Sequence, residues 1–126
     1  MNEPYASVCT DGLVNPGGTP HPRLYGTFAR VLGRFVRELG ALTLAEAVRA
    51  MTARAADVIG RDDLGRIRPG AAADLVLFDP ETIADRATFD VPRAAPAGIA
   101  GVWVGGRRVA TDGGLASHIE PAEARG

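Results

Sequence analysis

The chain has 126 residues, 46% of them apolar and 23% charged, with a formal charge of −1 at pH 7. This is one ordinary domain of average soluble composition, which excludes extended disorder, and its near-neutral balance offers no basic footprint for nucleic acid or anionic lipid. One cysteine (Cys9) excludes an internal disulfide, no apolar run approaches the roughly 20 residues that span a bilayer, and Met1-Asn2-Glu3-Pro4 lacks the features of a secretory signal, so the expected setting is cytoplasmic.

Residues 6–10 are small and β-prone and run into Asp11-Gly12. They predict a buried strand ending at a turn, with Cys9 packed inside it. Pro16, Gly17, Gly18, Pro20 and Pro22 then forbid regular structure across residues 13–23. A loop of about a dozen residues suits a binding role. Apolar residues at Phe28, Val31, Leu32, Phe35, Val36 and Leu39 have helical spacing, and Gly40 sits where a helix stops. Thr43-Leu44-Ala45-Glu46 fits a capping box that opens a second helix, closed by Gly60.

After Gly60 the period changes. The apolar run 75–78 predicts a strand covered on both faces, with Asp74 and Asp79 serving its flanking turns. Residues 81–98 read as a surface loop, and 99–104, Gly105-Gly106 and 107–111 read as a hairpin carrying Trp103 as core or sheet cover. The tail 112–126, with His118, reads as frayed. The fold class is α+β, dividing into 1–62 and 63–126 where helical periodicity gives way to strands.

Two segments carry a family resemblance. The first is Cys9-Thr10-Asp11-Gly12 with His21-Pro22-Arg23-Leu24-Tyr25-Gly26-Thr27-Phe28 and Arg30-Val31-Leu32-Gly33-Arg34. It resembles the end of the catalytic barrel in the D-aminoacylases, zinc-dependent N-acyl-D-amino-acid deacylases. The second runs from Gly65-Arg66-Ile67 through Asp74-Leu75-Val76-Leu77-Phe78-Asp79 to Val102-Trp103-Val104-Gly105-Gly106. It is similar to the C-terminal β segment of the wider amidohydrolase superfamily, and Ala84-Asp85-Arg86-Ala87-Thr88-Phe89 matches the deacylase branch as well. The resemblance implies that 1–62 is the last strand, active-site loop and C-terminal helices of a (β/α)₈ barrel. It makes 63–126 part of a small composite β-domain.

It also implies roles. Asp11 falls on the aspartate of the last barrel strand, which touches the metal site and takes a proton from the attacking water. Arg23 falls on the arginine that pairs with the substrate α-carboxylate, a task suited to a planar guanidinium. His21 is a further substrate-side candidate, and Tyr25 and Thr27 help build the loop wall. Read without the resemblance, Asp11-Gly12 is a turn, Arg23 a surface arginine, and His21 a residue that shapes the loop between two prolines.

The chain departs from the family at Gly17-Gly18-Thr19, at Ala53-Arg54-Ala55-Ala56-Asp57 (no proline after Met51-Thr52), and from Leu115 onward. His21 and His118 are its only histidines, with no His-x-His. A zinc site wants three or more protein ligands, and a closed barrel about 200–250 residues. The expectation is therefore a C-terminal amidohydrolase segment that binds no zinc stably and hydrolyses no N-acyl-D-amino acid alone. It would self-associate or pair with a chain carrying the missing barrel. The alternative is a non-catalytic or partner-completing amidohydrolase-like domain with a binding or structural role.

Overall fold

The computed structural model describes residue 3 and residues 5–13, 16–111 and 114–115, the last two as backbone only. Helix α1 spans Arg23–Arg30 and continues without a break into a wider π-type turn at Val31–Glu38, labelled α2. The start lies earlier than residue 28 because Pro22 supplies a helical φ of −53° at a position where its missing N–H costs nothing. Tyr25, Gly26 and Thr27 are modest helix formers, which hid this turn from the periodicity. The π character shows at the end, where the Leu39 N–H reaches the Arg34 carbonyl at 3.0 Å. Gly40, at φ +58°, then lets the chain turn away.

Helices α3 (Leu44–Met51) and α4 (Ala53–Val58) follow the capping box: Thr43 Oγ1 accepts from the Glu46 N–H at 3.2 Å, and Glu46 Oε2 accepts from the Thr43 N–H at 2.8 Å. Thr52, at φ −130° and ψ −92°, breaks what the sequence presents as one helix. Four strands form an antiparallel sheet in sequence order, β1 (Leu75–Phe78), β2 (Ile99–Val104), β3 (Arg107–Thr111) and β4 (Gly114–Leu115). The Gly105-Gly106 hairpin is where the sequence puts it, and the Asp74 carboxylate braces it by accepting from the Gly105 N–H at 2.7 Å.

One core joins helices to sheet: Ala29, Val31, Leu32, Leu42, Ala47 and Ile83, with Phe78 and Ile99 packed against them. Ile83 is the one large side chain fully buried among the described residues, at 1% exposure. The helix comes close to it because Gly33 has no side chain: a Cβ there would stand 2.6 Å from the Ile83 carbonyl oxygen. That oxygen and the Pro80 carbonyl accept from Arg37 Nη1 at 2.7 and 3.0 Å. Lower down, Gly26 admits Asp85 and Ala87, and Arg30 pairs with Asp85 at 2.9 Å. Residues 79–98 are therefore a strap across the helix, and the surface-loop reading missed a core residue within them.

Three expectations are corrected. Residues 6–10 form no strand, because no described strand lies alongside to share a ladder; the Val8 N–H instead reaches the Ala50 carbonyl at 3.0 Å. Cys9 is accordingly exposed, not packed. Strand β1 is not covered on both faces: Leu75, Val76 and Leu77 are 37, 56 and 56% exposed, and its edge is open as well, with β2 on one side only. Phe28, Leu39, Val58 and Ile59 also lie open, as expected for helices whose apolar side has more surface than this chain covers. The tail beyond 115, with His118, lies outside the described residues.

Gly33→Ala tests the strap. Alanine's helix propensity favours the change by about 1 kcal/mol, whereas overpacking against a backbone carbonyl costs about 1–3 kcal/mol, so the denaturation midpoint should fall. Thr43→Ala should remove about 1 kcal/mol by the same measurement. The hydrogen bonds from Thr43 hold Glu46 below the ordinary glutamate value of 4.5. A depressed folded value means this contribution is complete above 4.5 and is lost as the pH falls through the folded value. The acid limb of the stability profile should accordingly flatten in Thr43→Ala.

Candidate functional site

Asp11 owes its place to contacts far along the chain. The segment before it is tied to the helices by the Val8 N–H and by Arg54 Nη1, which donates to the Ala6 carbonyl at 2.6 Å and the Glu3 carbonyl at 3.3 Å. At Asp11 the backbone enters the left-handed region, φ 45°, the one described residue other than glycine to do so. Aspartate tolerates this conformation better than most residues, and such positions persist where surrounding contacts enforce them. The Gly12 N–H then donates to Thr10 Oγ1 at 3.2 Å, closing the turn.

Arg23 comes from the other side, at the first residue of α1. The His21 Nδ1 accepts from the Arg23 N–H at 3.1 Å, and Thr27 Oγ1 donates to the Arg23 carbonyl at 2.7 Å. The Arg23 guanidinium meets the Asp11 carboxylate at 3.2 Å, with the side chains 41 and 78% exposed. An ion pair this open to water contributes at most about 1 kcal/mol to stability. Its interest is positional: an acid and a planar cation, twelve residues apart in sequence, face each other on the surface.

His21 joins this pair through the backbone of Arg23, and its ring faces Phe89 edge-on, centroids 5.0 Å apart at 78°. Nδ1 accepts a hydrogen bond, so the neutral imidazole carries its proton on Nε2. Tyr25 is 40% exposed on the first turn of α1, and Thr27 spends its hydroxyl on that turn. The sequence reading did not pick out Arg54, Phe89 or Arg93, whose Nη2 donates to the Gly18 carbonyl at 3.2 Å. Phe89 had a signal, because it ends the Ala84–Phe89 match; Arg54 had only its departure from the family pattern.

The Glu81 N–H and the Thr82 hydroxyl lower the Asp79 carboxyl, and Arg61 lowers Asp63. A cavity of about 300 Å³ opens between Leu32, Val36, Arg37 and Glu81, beside the strap, and neither Asp11 nor Arg23 lines it. Among the described residues no group of three or more His, Cys, Asp or Glu side chains could share a metal ion. Asp11 stands near an arginine, and His21 has already committed one ring nitrogen. These residues do not fit a complete zinc site. No described helix is long and apolar enough to cross a membrane.

Residues 8–110 match the model of the amidohydrolase family. The chain is 56% identical over 99 residues to an N-acyl-D-glutamate deacylase of Alcaligenes xylosoxydans xylosoxydans, covering 79% of this chain and 20% of that protein. Its structure is similar to the crystal structure of D-aminoacylase, with a TM-score of 0.82 and 45% identity, over 89% of this chain and 23% of the other. It is also similar to N-acyl-D-glutamate deacylase from Bordetella bronchiseptica in complex with zinc and a phosphonate inhibitor, with a TM-score of 0.76 and 55% identity, over 82% of this chain and 22% of the other. The chain thus spans about a fifth of the length of the relatives it matches.

Asp11→Asn separates position from stability. Asparagine keeps the left-handed turn and removes only an exposed charge, so chemical denaturation should place the variant within about 0.5 kcal/mol of the parent.

Proposed function

Because the chain belongs to the amidohydrolase family, we propose that it is the C-terminal segment of an enzyme that hydrolyses the amide bond of N-acyl-D-amino acids, and that it is inactive alone. In this reading residues 1–62 are the end of a (β/α)₈ barrel and 63–126 the C-terminal strands of a small β-domain. The observation that carries it is the Asp11–Arg23 pair at 3.2 Å, with Asp11 in a left-handed turn. A barrel enzyme places its catalytic groups at the C-terminal ends of its strands, and in this reading residues 6–10 become such a strand only when the preceding barrel strands lie alongside them. The similarity to D-aminoacylase and N-acyl-D-glutamate deacylase supports the substrate class.

Asp11 acts as the base that takes a proton from water attacking the acyl carbonyl, and it delivers that proton to the amine nitrogen as the C–N bond breaks. Arg23 holds the α-carboxylate of the substrate, which takes the place opposite the guanidinium that Asp11 fills here. His21 keeps Arg23 in position and faces the substrate side. Asp11 would be this chain's contribution to a zinc centre completed by ligands from the rest of the barrel, and a zinc ion there would lower the pKa of the attacking water.

A partner-completing role is favoured by one further observation, the open edge and outer face of β1, where Ile67, Leu75, Leu77 and Trp103 line an uncovered apolar surface. Exposed apolar surface of this kind marks association, either with a chain carrying the rest of the barrel or with further copies of this one.

The test is complementation. Co-expressed with the preceding four-fifths of a related deacylase, this chain should restore hydrolysis of N-acetyl-D-glutamate or another N-acetyl-D-amino acid. Asp11→Asn should lower kcat by about 10²–10⁴-fold. Arg23→Lys should chiefly raise KM. Turnover by the isolated chain with zinc, lost in Asp11→Asn, would overturn the inactive-alone reading.

A further inference from the structure

We infer that Phe89 is a positioning residue: through His21 it fixes the turn from which Arg23 reaches Asp11. Phe89 is 76% exposed, so burial does not account for a large aromatic there. Its described ring contact is the edge-on meeting with His21. The backbone presents it deliberately. The Thr88 N–H donates to the Val91 carbonyl at 3.2 Å and the Val91 N–H to Thr88 Oγ1 at 3.0 Å, which puts Phe89 and Asp90 at the tip of a tight turn.

That turn is itself anchored. Asp85 is held by Arg30 at 2.9 Å, the Ala84–Ala97 bridge closes the base, and Arg93 holds the Gly18 carbonyl. The strap therefore touches the loop before α1 at two points, Gly18 and His21. His21 accepts from the Arg23 N–H through a lone pair in the plane of its ring, so rotating the ring breaks that bond. An aromatic edge contact restricts that rotation. The chain of contacts runs from strap to Phe89, to His21, to the Arg23 backbone, to the guanidinium opposite Asp11. The consequence for substrate rests on the proposed role of Arg23; the geometry does not.

The experiment uses the ¹⁵N-labelled 126-residue chain, reading hydrogen exchange of the Arg23 amide and the ¹⁵N shifts of the His21 ring. In Phe89→Ala the Arg23 amide should exchange about tenfold faster, the loss of about one hydrogen bond's protection. The Nδ1-acceptor signature should weaken, and Phe89→Tyr should restore both. Amides at Ala29 and Leu32, in the core, should keep their parent rates. Unchanged Arg23 exchange and His21 shifts in Phe89→Ala would overturn the inference. Equal acceleration at Ala29 and Leu32 would also overturn it, because Phe89 would then only support the fold. Neither readout involves hydrolysis, so a failed complementation and a failed positioning role are told apart.

Discussion

The close seating of residues 79–98 on the long helix is the constraint from which the rest follows. Gly33 lets the Ile83 carbonyl approach the helix backbone, Arg37 captures that carbonyl, and the Ile83 side chain goes into the core with Leu32 and Ala47. Neither polar nor apolar contact would suffice alone. Seating the Ile83 side chain draws its backbone oxygen toward the helix, where it needs a donor, and Arg37 supplies one. Through this contact the sheet is fixed to the helices, and through the far end of the same strap the loop carrying His21 and Arg23 is fixed to the sheet.

The same logic explains why the site is built from distant pieces. Asp11 depends on Arg54, and Arg23 on His21, which in turn meets Phe89. The His21 contacts lie at exposed positions and stabilise the chain little, whereas the Arg54 bond to the Ala6 carbonyl is part-buried. What they fix is relative placement, the quantity on which the roles proposed for Asp11 and Arg23 depend.

What the sequence made legible was local. The capping box at Thr43 and Glu46, the glycine stops at Gly40 and Gly60, the hairpin at Gly105-Gly106 and the turn roles of Asp74 and Asp79 rest on short-range chemistry that residue identity declares. Resemblance singles out Asp11 and Arg23; the fold sets the two side chains 3.2 Å apart, and their roles are those proposed above. What stayed hidden was set by long-range context. Ile83 stands eight residues from the next branched aliphatic, Val91, so no period marked it as core. The run 75–78 reads as a doubly covered strand because its composition fits one, and composition does not say whether the cover is on the same chain. The Val31–Glu38 stretch winds wider than its α-like spacing implies, and the structure gives no single residue as the cause.

Strand β1 carries a hazard together with a safeguard. Leu75-Val76-Leu77-Phe78 is an uncharged, proline-free stretch on an open edge, the composition from which cross-β fibrils are nucleated. Yet the residues that bracket it, Asp74 and Asp79, are both acids. If two copies paired antiparallel with Leu75 opposite Phe78, Asp74 of each would stand across from Asp79 of the other. Parallel stacking in register would line up each acid with itself. Like charges directly opposed across a strand pair resist both arrangements, so these two carboxylates work as gatekeepers that leave the edge receptive to a dissimilar strand and reluctant toward its own kind.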